Sequence, residues 1–72
     1  MDTIIIYTGK VPSSIASTML RSFYDKSLPF NLKVGTLTHG KRSVEVSVSS
    51  RHRDELELWL SRFNREGFLR PP

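Results

Sequence analysis

The segment Ser43-Val44-Glu45-Val46-Ser47-Val48-Ser49 alternates valine with a polar residue at every step. Successive side chains of an extended chain point to opposite faces, so these residues form a strand with one dry face and one wet face. Helical spacing would scatter the three valines around an axis, and β-branched valine packs well on a pleated surface. Such a strand needs neighbours for its backbone groups and an apolar layer over its valines. The rest of the chain must supply both.

The remaining elements can be read from the same periodicities. Thr3 to Thr8 is rich in β-branched and aromatic residues and predicts a strand ended by Gly9, with Ile4 and Ile6 on one face and Ile5 and Tyr7 on the other. Pro12 with Ser13 or Ser14 signals a helix start, and Ile15, Met19, Leu20 and Phe23 make its apolar stripe. That helix fades near Lys26, because Leu28 precedes Pro29 and is pushed out of helical geometry. Asn31 to Thr38 predicts a second strand, Leu32 and Val34 on one face, Lys33 and Leu37 on the other, with Gly35 as a bulge site. His39-Gly40-Lys41-Arg42 carries the turn into the valine strand.

Ser49 or Ser50 is placed to cap a last helix, with Asp54 and Glu55 at the positive end of its dipole. Leu56, Trp59, Leu60 and Phe63 form its buried stripe, and Gly67 stops it with Phe68 folding back on Phe63. The order is βαββα. The expected fold is α+β, a two-layer sandwich with both helices on one face of a three-stranded mixed sheet, the first two strands parallel and the third antiparallel to both. At 72 residues the chain makes one domain, residues 1–68, followed by a short flexible tail over 69–72 that ends in tandem proline.

With no cysteine there is no disulfide framework and no thiolate chemistry, so the core alone holds the fold. A second copy of the chain would help so small a core, and a homodimer is one expected state. The longest apolar stretch, Ile4 to Tyr7, is four residues, and the opening Met1-Asp2-Thr3 lacks the basic start of a secretory signal. The expectation is a soluble cytoplasmic protein with no membrane partner.

The chain resembles, in element order and lengths, the small DNA-damage-inducible recombinase modulators of the DinI type. Those carry an acidic last helix, whereas the matching segment here holds Arg51, Arg53, Arg62 and Arg65 among its acids.

No constellation for catalysis, cofactor or metal emerges. Gly35-Thr36-Leu37-Thr38-His39-Gly40-Lys41 fits the start of a phosphate-binding loop, but Arg42 stands where the magnesium-binding hydroxyl belongs and a strand follows where a helix is needed. His39 belongs to a turn and His52 to the first turn of a helix, a strand length apart, and His52 and Asp54 do not share a helical face.

The functional expectation is a small non-enzymatic interaction protein that binds a larger protein or nucleoprotein complex stoichiometrically, as one-domain regulators and phage-encoded inhibitors do. Its contact candidates are Ile5, Tyr7 and Leu37 on the wet sheet face, with Leu58 off the stripe of the last helix. The alternative is nucleic acid, since eleven Lys and Arg against seven Asp and Glu leave +4 and a pI near 10.0. Topology gathers Lys10, Lys41, Arg42, Arg62 and Arg65 at one end, with Arg70 nearby and Arg51 and Arg53 at the other.

Overall fold

The computed structural model describes residues 3–71; Met1, Asp2 and Pro72 of the expected domain and tail lie outside them. The elements are β1 (Ile4–Pro12), α1 (Ser13–Lys26), β2 (Asn31–Thr38), β3 (Lys41–Ser49), a 3₁₀ turn (Ser50–His52), α2 (Arg53–Leu60) and β4 (Leu69–Arg70). The class is α+β as expected, with the valine strand at the centre, but the sheet is four-stranded in the order β2-β3-β1-β4. Every neighbouring pair is antiparallel, so the sheet is not mixed. β1 and β2 do run in the same direction, but β3 lies between them and pairs with both.

β1 and β3 pair along their full nine residues, from Ile4 opposite Ser49 to Pro12 opposite Lys41. Directly opposed residues share a face, so Val44, Val46 and Val48 stand beside Gly9, Tyr7 and Ile5, with Val11 continuing the row. The three valines and Val11 are buried with Ala16 and Met19 of α1 and Leu56, Trp59 and Leu60 of α2. Phe30 and Leu69 complete that core. Trp59 stitches the helix layer together: its indole N–H donates to Ser22 Oγ of α1 at 3.0 Å, and its ring lies 5.6 Å from Phe30 and 5.1 Å from Phe63.

The β2–β3 hairpin turns on His39 and Gly40, both with positive φ (53° and 77°), the pattern of a tight turn whose twist matches its strands. The Gly40 carbonyl accepts the Ser13 N–H at 3.0 Å, so the hairpin tip supplies a partner for the first amide of α1, which has no side-chain cap.

The C-terminal segment departs from expectation. α2 ends at Leu60, well before Gly67, and turns follow over 61–66. No side chain caps its start; Ser50 Oγ instead accepts the Thr3 N–H at 3.2 Å. Leu69 and Arg70 are a strand rather than a flexible tail, and Leu69 is buried. Asn64 holds that strand: its side-chain amide donates to the Leu69 carbonyl and accepts the Leu69 N–H, both at 2.8 Å, imitating one rung of a ladder. On the other side Leu69 lies opposite Gly9, where any Cβ would strike the Phe68 carbonyl.

Asn64→Ala should therefore cost roughly 1–3 kcal/mol, because both backbone groups of a part-buried rung lose their partner. Urea unfolding followed by Trp59 fluorescence checks this. Stability equal to wild type would mean that Asn64 does not hold β4.

Candidate functional site

The ladder that fixes the core also fixes what the opposite sheet face presents. Opposed pairs place Ile4, Ile6, Thr8 and Lys10 of β1 with Ser49, Ser47, Glu45 and Ser43 of β3 on the face away from the helices. Asn31 and Lys33 of β2 join them opposite Ser47 and Glu45, and Arg70 of β4 joins them opposite Thr8. Lys41 stands at the hairpin end of the same β3 row.

Each strand thus brings a cation to the open face: Lys33, Lys41, Lys10 and Arg70 in sheet order. Glu45 is the one carboxylate among the described residues in these strands, and it sits 3.9 Å from the Lys33 ammonium. Both partners are solvent-exposed, so this pair contributes little to stability. Serine, threonine and asparagine fill the spaces between the charges. Asp25, Asp54, Glu55, Glu57 and Glu66 all belong to α1, α2 or the turns after α2. Two of them are engaged locally, His52 Nδ1 with Glu55 at 3.2 Å and Arg53 Nε with Glu57 at 3.1 Å.

The expected contact residues of the sheet do not converge. Ile5 and Tyr7 lie on the helix face, half-buried against the core, and the residues facing out are Ile4, 61% exposed, and Ile6. This inverts the expectation from the sequence. Four consecutive apolar residues carry no alternation, but parity continued through Gly9 puts polar Thr8 and Lys10 with Ile4 and Ile6, and Val11 with Ile5 and Tyr7.

Leu37 is displaced by the bulge. The register steps from Val34 opposite Val44 to Leu37 opposite Arg42, one extra residue on β2, which transfers Leu37 to the helix-side face at the hairpin end, 53% exposed. Leu58, 71% exposed, is remote on the outer side of α2, where it borders a shallow hollow with Lys26, Leu28, Trp59 and Arg62. Tyr24, 74% exposed, was not singled out by sequence reasoning, since it lies off the apolar stripe of α1.

The expected basic cluster divides between two faces. Lys10 and Lys41 are exposed on the open face. Arg42 is on the other face and half-buried, its Nη1 donating to the Gly35 carbonyl at 3.1 Å, so it braces the bulge. Arg62 and Arg65 line a groove of about 390 Å³ on the helix side with Ser14, Thr18, Glu66 and Phe68. Phe68 links the two regions, because the Lys41 ammonium lies 5.8 Å from the centre of its ring. Among the described residues no three His, Cys, Asp or Glu side chains come together as a metal site, and no helix is long and apolar enough to cross a membrane.

No protein-family model, curated protein or solved structure matches this chain.

The face assignment has a direct consequence for stability. Ile5→Ala should cost at least about 1 kcal/mol by opening space against the core, whereas Ile4→Ala should stay within about 0.5 kcal/mol of wild type. Paired chemical denaturation curves distinguish the two; the opposite ranking would restore the inverted face.

Proposed function

We propose that this protein is a non-catalytic nucleic-acid-binding protein that takes the phosphate backbone across its open sheet face. The observation that carries the reading is the row of Lys33, Lys41, Lys10 and Arg70, one from each strand, on a face whose single described carboxylate is already beside Lys33. Phosphate contacts come from Lys and Arg together with Ser, Thr and Asn side chains, and these make up most of this face, with Ile4, Ile6 and Glu45 as the exceptions. It has no aromatic ring on its opposed strand positions, so it offers charge and hydroxyls rather than a stacking platform for bases. Binding is then sequence-tolerant and strongly dependent on salt. Apart from Glu45, the acids among the described residues belong to the helices or to the turns after α2, which keeps their repulsion away from the bound strand.

A protein partner is the second reading, favoured by the exposure of Leu58 beside Leu28 and Trp59 on α2. In that case the protein acts as a stoichiometric regulator or inhibitor of a larger complex through its helix layer.

Fluorescence anisotropy with labelled single-stranded and duplex oligonucleotides at several salt concentrations separates the two. If each of the open-face cations neutralises one phosphate, the log–log salt slope is about −2.8 on a single strand and about −3.6 on duplex DNA. Lys10→Ala with Lys41→Ala should weaken binding and flatten the single-strand slope by about 1.4, while Arg53→Ala, on α2, should leave the slope unchanged. Absence of binding at low salt, or a slope unaffected by the double lysine variant, would reject this reading in favour of the protein partner.

A further inference from the structure

The helix-side groove and the open sheet face meet along one short segment. Lys41, exposed on the open face, stands 5.8 Å from the centre of the Phe68 ring, and Arg70, exposed on the same face, donates from Nε to the Gly67 carbonyl at 3.2 Å. Phe68 is also part of the lining of the groove, whose volume is about 390 Å³. Two of the four open-face cations therefore rest on the segment that borders a concave site, which the sheet itself does not contain.

This groove has an apolar base and a polar rim. Ile15, Phe63 and Phe68 are half-buried against the core, and the Phe63 ring stands edge-on to Trp59 at 5.1 Å. Ser14 and Thr18, one turn apart on α1, are exposed at one side, and Arg62, Arg65 and Glu66 from the turns after α2 are exposed at the other. Backbone bonds fix those turns: Phe63 and Asn64 N–H donate to the Leu60 carbonyl at 2.9 and 2.8 Å, and Gly67 N–H to the Asn64 carbonyl at 3.0 Å. Neither the Arg62 nor the Arg65 guanidinium is engaged by a carboxylate or a carbonyl among the described residues.

Rings below and unengaged arginines with hydroxyls above suit an unpaired nucleotide, which joins a flat apolar base to phosphates. The volume lies within the range of about 300–1,000 Å³ typical of small-ligand sites. We propose that the groove takes one base of a single strand whose phosphates run across the open face, with the base against Phe63 and Phe68 and the flanking phosphates at Arg62 and Arg65. This rests on the phosphate-binding reading of the open face and adds the class of nucleic acid to it. The bases of a duplex are paired and stacked, so a single strand turns one into the groove at far lower cost. Glu66 repels phosphate but accepts a hydrogen bond from the amino group of cytosine, which places the base rather than the backbone beside it. Continuity with Lys41 and Arg70 favours a strand over an acidic peptide, which needs the groove alone.

Anisotropy with a labelled oligodeoxycytidylate and an abasic strand of equal length, which has the same phosphates and no bases, tests the groove. The wild type should bind the cytidylate strand roughly ten-fold more tightly. Phe68→Leu, which keeps apolar packing and removes the ring, should erase that difference and leave the abasic strand's affinity unchanged. Arg62→Gln with Arg65→Gln, at exposed positions, gives a second readout: the salt slope on the cytidylate strand should fall by about 1.4 while the duplex slope stays the same. Free deoxycytidine monophosphate and a polyglutamate peptide should compete only weakly with the strand. Equal affinity of the wild type for the two strands, with salt-steep binding intact, would overturn the groove and leave the open-face reading standing; no binding of either strand would end both. Displacement of the strand by an equal concentration of the monophosphate or of polyglutamate would overturn the proposal by giving the groove to a mononucleotide or to an acidic peptide.

Discussion

Everything else in this molecule depends on the register of one ladder, the nine-residue pairing of β1 with β3. The alternation of β3 leaves no choice about which of its faces is dry, because Val44, Val46 and Val48 cannot be exposed together without forfeiting the core's central row. Once Ile5, Tyr7 and Val11 are locked into that row, Ile4, Ile6, Thr8 and Lys10 must face the other way. A one-residue slip would bury Lys10 and Thr8 under the helices, and that cost is what specifies the pairing. The helices then have one surface to cover, and Ala16, Met19, Leu56, Trp59 and Leu60 cover it.

The parts of the fold legible from sequence are those where periodicity is uninterrupted. β3 alternates without exception, the stripe Ile15, Met19 and Phe23 recurs at helical spacing, and the hairpin turn has its glycine where positive φ is needed. The face of β1 is not legible from its first half because Ile4 to Tyr7 is apolar throughout, and its second half is hidden because Gly9 reads as the end of the strand and Pro12 as the start of the helix. Gly9 is there for a different reason: β4 passes so close that only hydrogen fits. β4 itself is invisible to periodicity, since two residues have no period, and the side chain that anchors it, Asn64, lies in a stretch that continues the apolar spacing of α2 through Phe63.

The candidate site shifted for the same reasons. Lys10, Lys41 and Arg70 were already visible as charges, but only the ladder shows that they share a face with Lys33, and only the bulge shows that Leu37 does not. Arg42 illustrates why charge counted along a chain overstates a binding surface: it lies half-buried on the helix-side face with its guanidinium on the Gly35 carbonyl, whereas Arg70, whose Nε donates to the Gly67 carbonyl at 3.2 Å, stays exposed on the open face. The same parity that exposes the cations leaves Ile4 and Ile6 outward-facing among them, so the charged face and its apolar end are two consequences of a single register.

That register is measured most directly by cross-strand nuclear Overhauser effects in the labelled protein. Close Hα–Hα contacts occur at the non-bonded pairs of an antiparallel ladder, and the account places them between Ile6 and Ser47 and between Thr8 and Glu45. Strong cross-peaks at both positions are the expected result. Cross-peaks one residue out of step, such as Ile6 with Val46 or Val48, would turn Ile4 and Ile6 under the helices and contradict the face assignment together with the site built on it.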